Sequence, residues 1–427
     1  MDVKKTICVA LGVGVSFMVV VSCKTAKSTN NFLTNNIEYA ATQYGLQIEE
    51  LDKNDKIRIP RTVKPNGEMQ YAPIGWDWTE GFYAGSLWYL YSLTGDEYWK
   101  PLAEKYTKVL EKEQFNTNHH DIGFIIGCSY MNGLRMGGKE QYKQIVIQAA
   151  KSLSTRFRPA AGVIQSWSTE KGWQSQRGWK CPVIIDNLMN LELLFESTRL
   201  SGDSTFYNVA VSHADKTLKN HFRSDGSSFH VVDYDPETGE VRSRCTAQGY
   251  ADESAWARGQ AWAIYGYTMC YRYTQNPRYL KQAEKICDFI FTHSNMPQDL
   301  IPYWDFDAVN IPNELRDVSA AAITASALYE MGAITGKKSY KKTADLILAS
   351  LASPVYRAKL GDNKGFLLMH SVGSIPHDNE IDVPLNYADY YFLEALKRKQ
   401  DFENNKENAF ILKDANNVVD WGAFCTN

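Results

Sequence analysis

LTGDEYWKPLAEKY, residues 93–106, is the stretch that decides the fold, because it recurs. MGGKEQYKQIVIQA begins at Met136, LSGDSTFYNVAVSHA at Leu200, YTQNPRYLKQAEKI at Tyr273 and ITGKKSYKKTADLI at Ile334. Each copy closes an apolar helix rich in small residues, passes through a turn of the Thr-Gly-Asp type, and opens a second helix near an aromatic. Self-similarity of this kind marks one supersecondary unit used several times. The unit is a helical hairpin with a short internal turn. The longer, chemically richer connections therefore fall between hairpins and share one end of the molecule.

Outward from these turns, the pattern predicts helices at about 36–52, 80–94, 97–113, 121–136, 139–156, 186–200, 204–222, 255–274, 277–293, 316–333, 338–353 and 383–399. Helices of the 80–94 and 255–274 kind mix Gly, Ala and Ser with aromatics, which permits close approach and suits an inner ring. Their partners are amphipathic, with Lys and Glu on one face, which suits an outer ring. Twelve helices in six hairpins on two rings predict an all-α (α/α)6 barrel over residues 36–400. An open helical solenoid is the alternative. Residues 225–243 alternate apolar and polar around Pro236-Glu237-Thr238-Gly239 and read as a small β-hairpin. Residues 53–79 read as an irregular loop, and 401–427 as a C-terminal extension.

The start of the chain reads as a processing signal. Lys4 and Lys5 precede an apolar run from Ile7 to Val21, too short for a comfortable span of ~20 residues. The run ends at Val20-Val21-Ser22-Cys23, which resembles a bacterial lipobox. Residues 1–22 are expected to be a lipoprotein signal peptide, with Cys23 lipidated and 23–35 a flexible tether. That places the protein in the bacterial cell envelope, periplasm-facing or on the outer-membrane surface, touching the membrane through lipid alone. A net charge of −3 gives no support to nucleic-acid binding. Cys128, Cys181, Cys245, Cys270, Cys287 and Cys425 contain no CxxC pair, and there is no HExxH motif, so no metal is expected. His119 and His120 are adjacent, so their side chains diverge. No serine has a GxSxG setting, and no Gly-rich phosphate loop occurs.

Four segments place polar residues just before inner helices: HHDIGF from His119, IIDNL from Ile184, TAQGYADESAWARGQAW from Thr246, and GSIPHDNEIDVP from Gly373. Asp121 and Asp186 stand at helix starts, where Asp commonly serves as an N-cap. Two carboxylates on one rim admit another reading. Their mutual repulsion can leave one protonated, and such pairs carry out glycoside hydrolysis. Asp252, Glu253 and Asp382 compete on composition. Arg258 suits bidentate recognition of a carboxylate, or an ion pair with Asp252 or Glu253. His230 alone reads as a structural hydrogen-bonder. Trp78, Trp167, Trp256 and Trp262 offer planar faces for sugar rings, or for packing.

Taken in order, WDWTEGFYAGSLW, HHDIGF, IIDNLMNL, TAQGYADESAWARGQAW and EIDVPLNYADYYF resemble glycoside hydrolase family 88, the unsaturated glucuronyl hydrolases, over about residues 40–400. The resemblance implies an (α/α)6 barrel, with Asp186 as general acid/base and Asp121 as partner carboxylate. It implies that His230, Gln248, Arg258 and Trp262 surround a uronic ring, with Thr246, Trp78 and Trp167 lining the same pocket. The implied reaction hydrates the C4=C5 bond that polysaccharide lyases leave in an unsaturated oligosaccharide, as in glycosaminoglycan degradation. The implied hemiketal then opens and expels the remaining sugar. It implies no cofactor and no obligate protein partner. One departure is visible. Some members read a substrate sulfate with a Ser-x-x-Ser-x-Lys loop, and here Ser371 and Ser374 are followed by Pro376 where the Lys would stand. Two other readings remain: an unsaturated rhamnogalacturonyl hydrolase for pectin fragments, and a non-catalytic sugar-binding lipoprotein.

Overall fold

In the computed structural model, which describes residues 24–404, the repeated turns do the same local work. The chain leaves an inner helix through a left-handed residue: Gly95 (φ 68°), Gly202 (φ 75°), Gly336 (φ 68°) and, where that copy lacks glycine, Gln275 (φ 55°). Each donates its N–H to the carbonyl four residues back, at Tyr91, Thr198, Gly332 and Tyr271. A Cβ is unfavourable in that conformation, which explains the glycines. Asp203 and Asn276 then cap the following helix by accepting from the N–H groups of Thr205 and Arg278.

The inner ring runs through α2 (Glu80–Thr94), a broken second helix made of α4 (Ile122–Ile126) and α5 (Asn132–Arg135), α7 (Leu191–Ser201), α9 (Ala257–Thr274), α11 (Val318–Thr335) and α13 (Asn386–Glu403). Consecutive members pack together, and α13 returns to α2, so the ring closes and the open solenoid is excluded. The outer ring is α3 (Trp99–Lys108), α6 (Tyr142–Ser154), α8 (Ser204–Asn220), α10 (Pro277–Thr292), α12 (Lys338–Leu351) and α1 (Lys24–Leu51). Burial separates the two. Every residue of α11 from Val318 to Gly332 is buried, whereas α10 buries a stripe of Tyr279, Gln282, Ala283, Ile286, Cys287 and Ile290.

Several boundaries differ from expectation. The second inner helix is interrupted by a π-turn at Gly127–Met131, where Ser129 Oγ donates to Ile125 O at 2.6 Å. Such bulges recur near functional sites. The third opens as a 3-10 turn, Ile185–Asn190, before α7. The expected tether does not stay separate: α1 begins at Lys24, and its buried stripe of Leu33, Ala40, Tyr44, Ile48 and Leu51 starts within the 23–35 stretch. At the other end α13 crosses the expected boundary and continues to Glu403. Cys23, the expected signal segment 1–22 and residues 405–427 lie outside the described residues.

Strands are few and local. The 53–79 loop contains an antiparallel pair, β1 (Ile59–Val63) with β2 (Met69–Ala72). A second short pair joins β3 (Phe157–Arg158) to β4 (Val163–Ile164). The expected hairpin forms as β6 (Val231–Tyr234) and β7 (Val241–Cys245), and β5 (Cys181–Ile184) adds a third strand. Residues 225–230 are not strand. Asp225 Oδ1 accepts from Ser227 N–H at 2.8 Å and turns the chain.

Candidate active site

The three-stranded sheet sets the first half of the site. Ile184 pairs with Val231, and Ile185 N–H donates to His230 O at 2.9 Å, so Asp186 and His230 leave the sheet side by side. His230 Nδ1 accepts from the N–H groups of Ala247 and Gln248, at 3.0 and 3.2 Å. Its proton is therefore on Nε2, which stands 3.7 Å from Asp186 Oδ2. The second half comes from the turn before α4, which carries His119, His120 and Asp121.

Both aspartates line one open cavity of about 520 Å³ at the N-terminal ends of the inner helices. Trp78, Trp167, Gln248 and Arg258 line it too, so six of the nine expected residues meet there. Ile184 completes the wall with seven residues outside those nine: His120, Trp173, Gln174, Ser374, His377, Asp378 and Asn379. The signal for the last four was present, since GSIPHDNEIDVP is one of the polar segments preceding inner helices. For His120 the signal was the adjacent pair itself. Diverging imidazoles exclude one shared metal but flank Asp121 on two sides.

Neither carboxylate is a helix cap. Asp121 occupies the N-cap position of α4, but its side chain makes no cap hydrogen bond. Asp186 lies inside its 3-10 turn, whose N-cap is Ile184. Asp317 shows the contrast: its Oδ1 accepts from Ser319 N–H at 3.0 Å and caps α11. Burial pushes the Asp186 carboxyl up to about 7. Arg258 opposes the rise, and the Asp121 charge adds to it. Desolvation thus does more than the carboxylate repulsion expected from sequence. At Asp121 burial also works upward, but His120 and His119 outweigh it and hold the carboxyl below its ordinary value.

Four expectations change. Arg258 is buried with its fork committed: Nη1 pairs with Asp317 at 3.1 Å and donates to Val372 O, while Nη2 donates to Gly373 O at 2.6 Å. Neither Asp252 nor Glu253 is its partner. Arg258 anchors the 372–373 loop and lends the cavity a positive charge. Trp262 is fully buried edge-on to Phe124 and Tyr391, so it is not a stacking platform. Its indole N–H makes no hydrogen bond within the protein but lies near enough to Asp186 to favour the charged carboxyl slightly. Thr246 lies outside the cavity wall. Its hydroxyl accepts from Gly249 N–H and its own N–H donates to Asp252, each at 2.8 Å. Trp256 is buried beneath the Arg258 guanidinium, 4.4 Å from it. The competing carboxylates sit elsewhere: Asp252 in the Thr246 turn, Glu253 on Arg223, and Asp382 on His370.

The family model described as Glycosyl Hydrolase Family 88 matches residues 56–406. An unsaturated glucuronyl hydrolase of Formosa agariphila is 44% identical over 402 residues, which cover 93% of this chain and 99% of the relative. An unsaturated chondroitin disaccharide hydrolase of Streptococcus agalactiae is 33% identical, across 75% of this chain and 81% of its own length. A crystal structure of an unsaturated glucuronyl hydrolase specific for heparin superposes with a TM-score of 0.83 at 43% identity, covering 88% of this chain and 98% of that one. With its closed double ring, its paired aspartates and these likenesses over nearly its whole length, the chain belongs to glycosyl hydrolase family 88.

Proposed function

We propose that the chain is a glycosidase that hydrates the C4=C5 bond of a non-reducing-end unsaturated uronic acid, with Asp186 as acid and base. The observation that carries these roles is the Asp186 carboxyl, buried, pushed up to about 7, with Oδ2 unpartnered in a cavity it shares with Asp121. Protonated Asp186 donates its proton to C4. The cation left at C5 is stabilised by the ring oxygen and faces the Asp121 carboxylate. Asp186, now a carboxylate, takes a proton from the water that adds at C5. The resulting hemiketal opens and releases the remaining sugar. A group that must both donate and accept works best with a pKa near the working pH. Trp78 and Trp167 supply apolar faces at the cavity wall, and Gln248 supplies an amide.

The finer reading is a preference for heparin-type disaccharides over those sulfated at the site that the Ser-x-x-Ser-x-Lys loop reads. It is supported by the relative specific for heparin at 43% identity and by the loop after Ser371. Pro376 lies in the short turn Ile375–His377, and Ser374 Oγ is engaged with His377 Nδ1 at 2.7 Å. That loop offers neither a lysine nor a free Ser374 hydroxyl to a sulfate. Loss of the ultraviolet absorbance of the conjugated double bond reports turnover. Across heparin, chondroitin, hyaluronan and pectin disaccharides, kcat/KM should be highest for a heparin-type substrate. A pectin fragment turned over fastest would favour the rhamnogalacturonyl reading, and binding without absorbance loss would favour a sugar-binding protein. Lipidation of Cys23 and residence in the envelope are part of the same proposal. Mass spectrometry of the membrane fraction should find a lipidated Cys23 N-terminus, and an intact leader would contradict it.

A further inference from the structure

Two carboxyl groups facing one cavity influence each other's ionisation, and their surroundings decide which keeps its proton. Around Asp121 the orientations can be followed bond by bond. Asn190 lies on the same 3-10 turn as Asp186, and its Oδ1 accepts from Phe124 N–H at 3.0 Å. That contact orients the amide. Its Nδ2 then lies 3.1 Å from His120 Nδ1 and donates to it. His120 Nδ1 therefore has no proton, and the neutral ring carries its proton on Nε2. His120 Nε2 is fully buried and stands 3.3 Å from Asp121 Oδ1, a charge–dipole contact without hydrogen-bond alignment, and the Asn187 amide also acts on the ring. Gly123 keeps the arrangement open, since a Cβ there would meet Asn190 Oδ1 at 2.4 Å.

We infer that Asn190 and His120 act as a positioning pair, which fixes the Nε2–H tautomer, holds Asp121 as the carboxylate and so leaves Asp186 as the group that carries the proton. This rests on the roles proposed for the two aspartates. Other charged or titratable groups face the pair from several sides. His119 Nδ1 lies 3.5 Å from Asp121 Oδ2, and the opposite ring nitrogen contacts Asn116 Nδ2 at 3.2 Å. Arg156, between α6 and β3, acts on both Asp121 and His120, with its guanidinium bonded to the carbonyls of Thr117, Gln165 and Ser166. Asp186 and Arg258 face the cavity from the 3-10 turn and from α9. Burial keeps His120 neutral among them.

The test compares wild type, His120→Gln, which retains an N–H donor, and His120→Leu, which retains bulk but no donor. Carboxyl ¹³C titration of the full chain, with Asp121 assigned through Asp121→Asn, needs no substrate. Asp121 should titrate at low pH in wild type and His120→Gln, and at higher pH in His120→Leu. In ¹⁵N-histidine spectra, wild-type His120 should show the Nε2–H pattern. In pH–rate profiles, His120→Leu should lose roughly tenfold or more in kcat. Its alkaline limb should move to lower pH, because a neutralised Asp121 no longer raises Asp186. His120→Gln should keep the limb and most of the rate. An Nδ1–H ring, or identical Asp121 titration in all three proteins, would overturn the inference. So would equal losses in both variants with an unmoved limb. A wild type that turns over no unsaturated disaccharide would sink the proposed function instead, leaving the titration to decide the pair.

Discussion

Asp186 is held by two opposing demands at the scale of a single residue. It must be protonated to give a proton to C4, which burial favours, and it must ionise within the catalytic cycle, which Arg258 and Trp262 favour. The cost appears in stability. Its folded pKa is raised above the unfolded value, so the folded state binds the proton more tightly. The penalty is absent below the unfolded value near 4, grows as pH rises toward about 7, and is constant above that. Asp186→Asn should therefore become more stable than wild type across that window, by at most ~4 kcal/mol at pH ~8. Denaturant midpoints measured from acid to mildly alkaline pH check this, and a difference that does not change with pH would contradict it. The carboxyl was legible in the sequence as one of two at helix starts. The source of its shift was not, because desolvation depends on what covers the group. Trp262 and the His230 backbone come from segments remote in the chain. Arg258 misled for the same reason: its partners Val372 and Gly373 lie far along the chain, on a loop with no periodicity to place it.

Among the elements, the turns were the most readable feature and the strands the least. A left-handed terminator and an Asx cap are local devices, so Gly95, Gly202 and Asp203 declare themselves within a few residues. Strands of the length of β3, β4 and β5 carry too few alternations to stand out, and pairing with distant segments defines them. The same locality separates two kinds of aspartate. Asp203 accepts from Thr205 N–H at 2.9 Å, far from the cavity, whereas Asp121 makes no cap bond at all. Asp203→Ala should cost about 1 kcal/mol in stability and leave kcat unchanged. Asp121→Asn should cost activity with little loss of stability. Thermal unfolding and turnover measured on both variants test the contrast. A large activity loss from Asp203→Ala, or a purely thermal effect from Asp121→Asn, would contradict the assignment.

For the whole molecule, the closed ring assigns different work to its two ends. The N-terminal ends of the inner helices carry the site. The opposite end is filled by an ion network in which Arg272 joins Glu192 at 2.6 Å and Glu330 at 3.4 Å, and Arg398 joins Glu330 at 3.0 Å. A smaller cavity of about 250 Å³ lies beside that network, lined by Arg135, Arg272, Lys397 and Asp401 among others. Each of its lining cations is ion-paired, Arg135 and Arg272 with Glu192, Lys397 with Asp401 and Arg398 with Glu330, which suits a plug rather than a binding site. Arg272→Met should destabilise by roughly 3–5 kcal/mol, because it removes a buried cation from Glu192 and Glu330 and leaves each with a single one, Arg135 and Arg398. The KM of the folded fraction should not change, and a raised KM would tie this end to substrate binding. The central claim belongs to the other end. Its most direct test is kcat of Asp186→Asn on an unsaturated disaccharide, because Asn can neither give a proton to C4 nor take one from water. Loss of kcat by roughly 10²–10⁴-fold or more, with KM little changed, is the predicted result. Retention of more than about a tenth of wild-type kcat, an effect under ~1.4 kcal/mol, would contradict it.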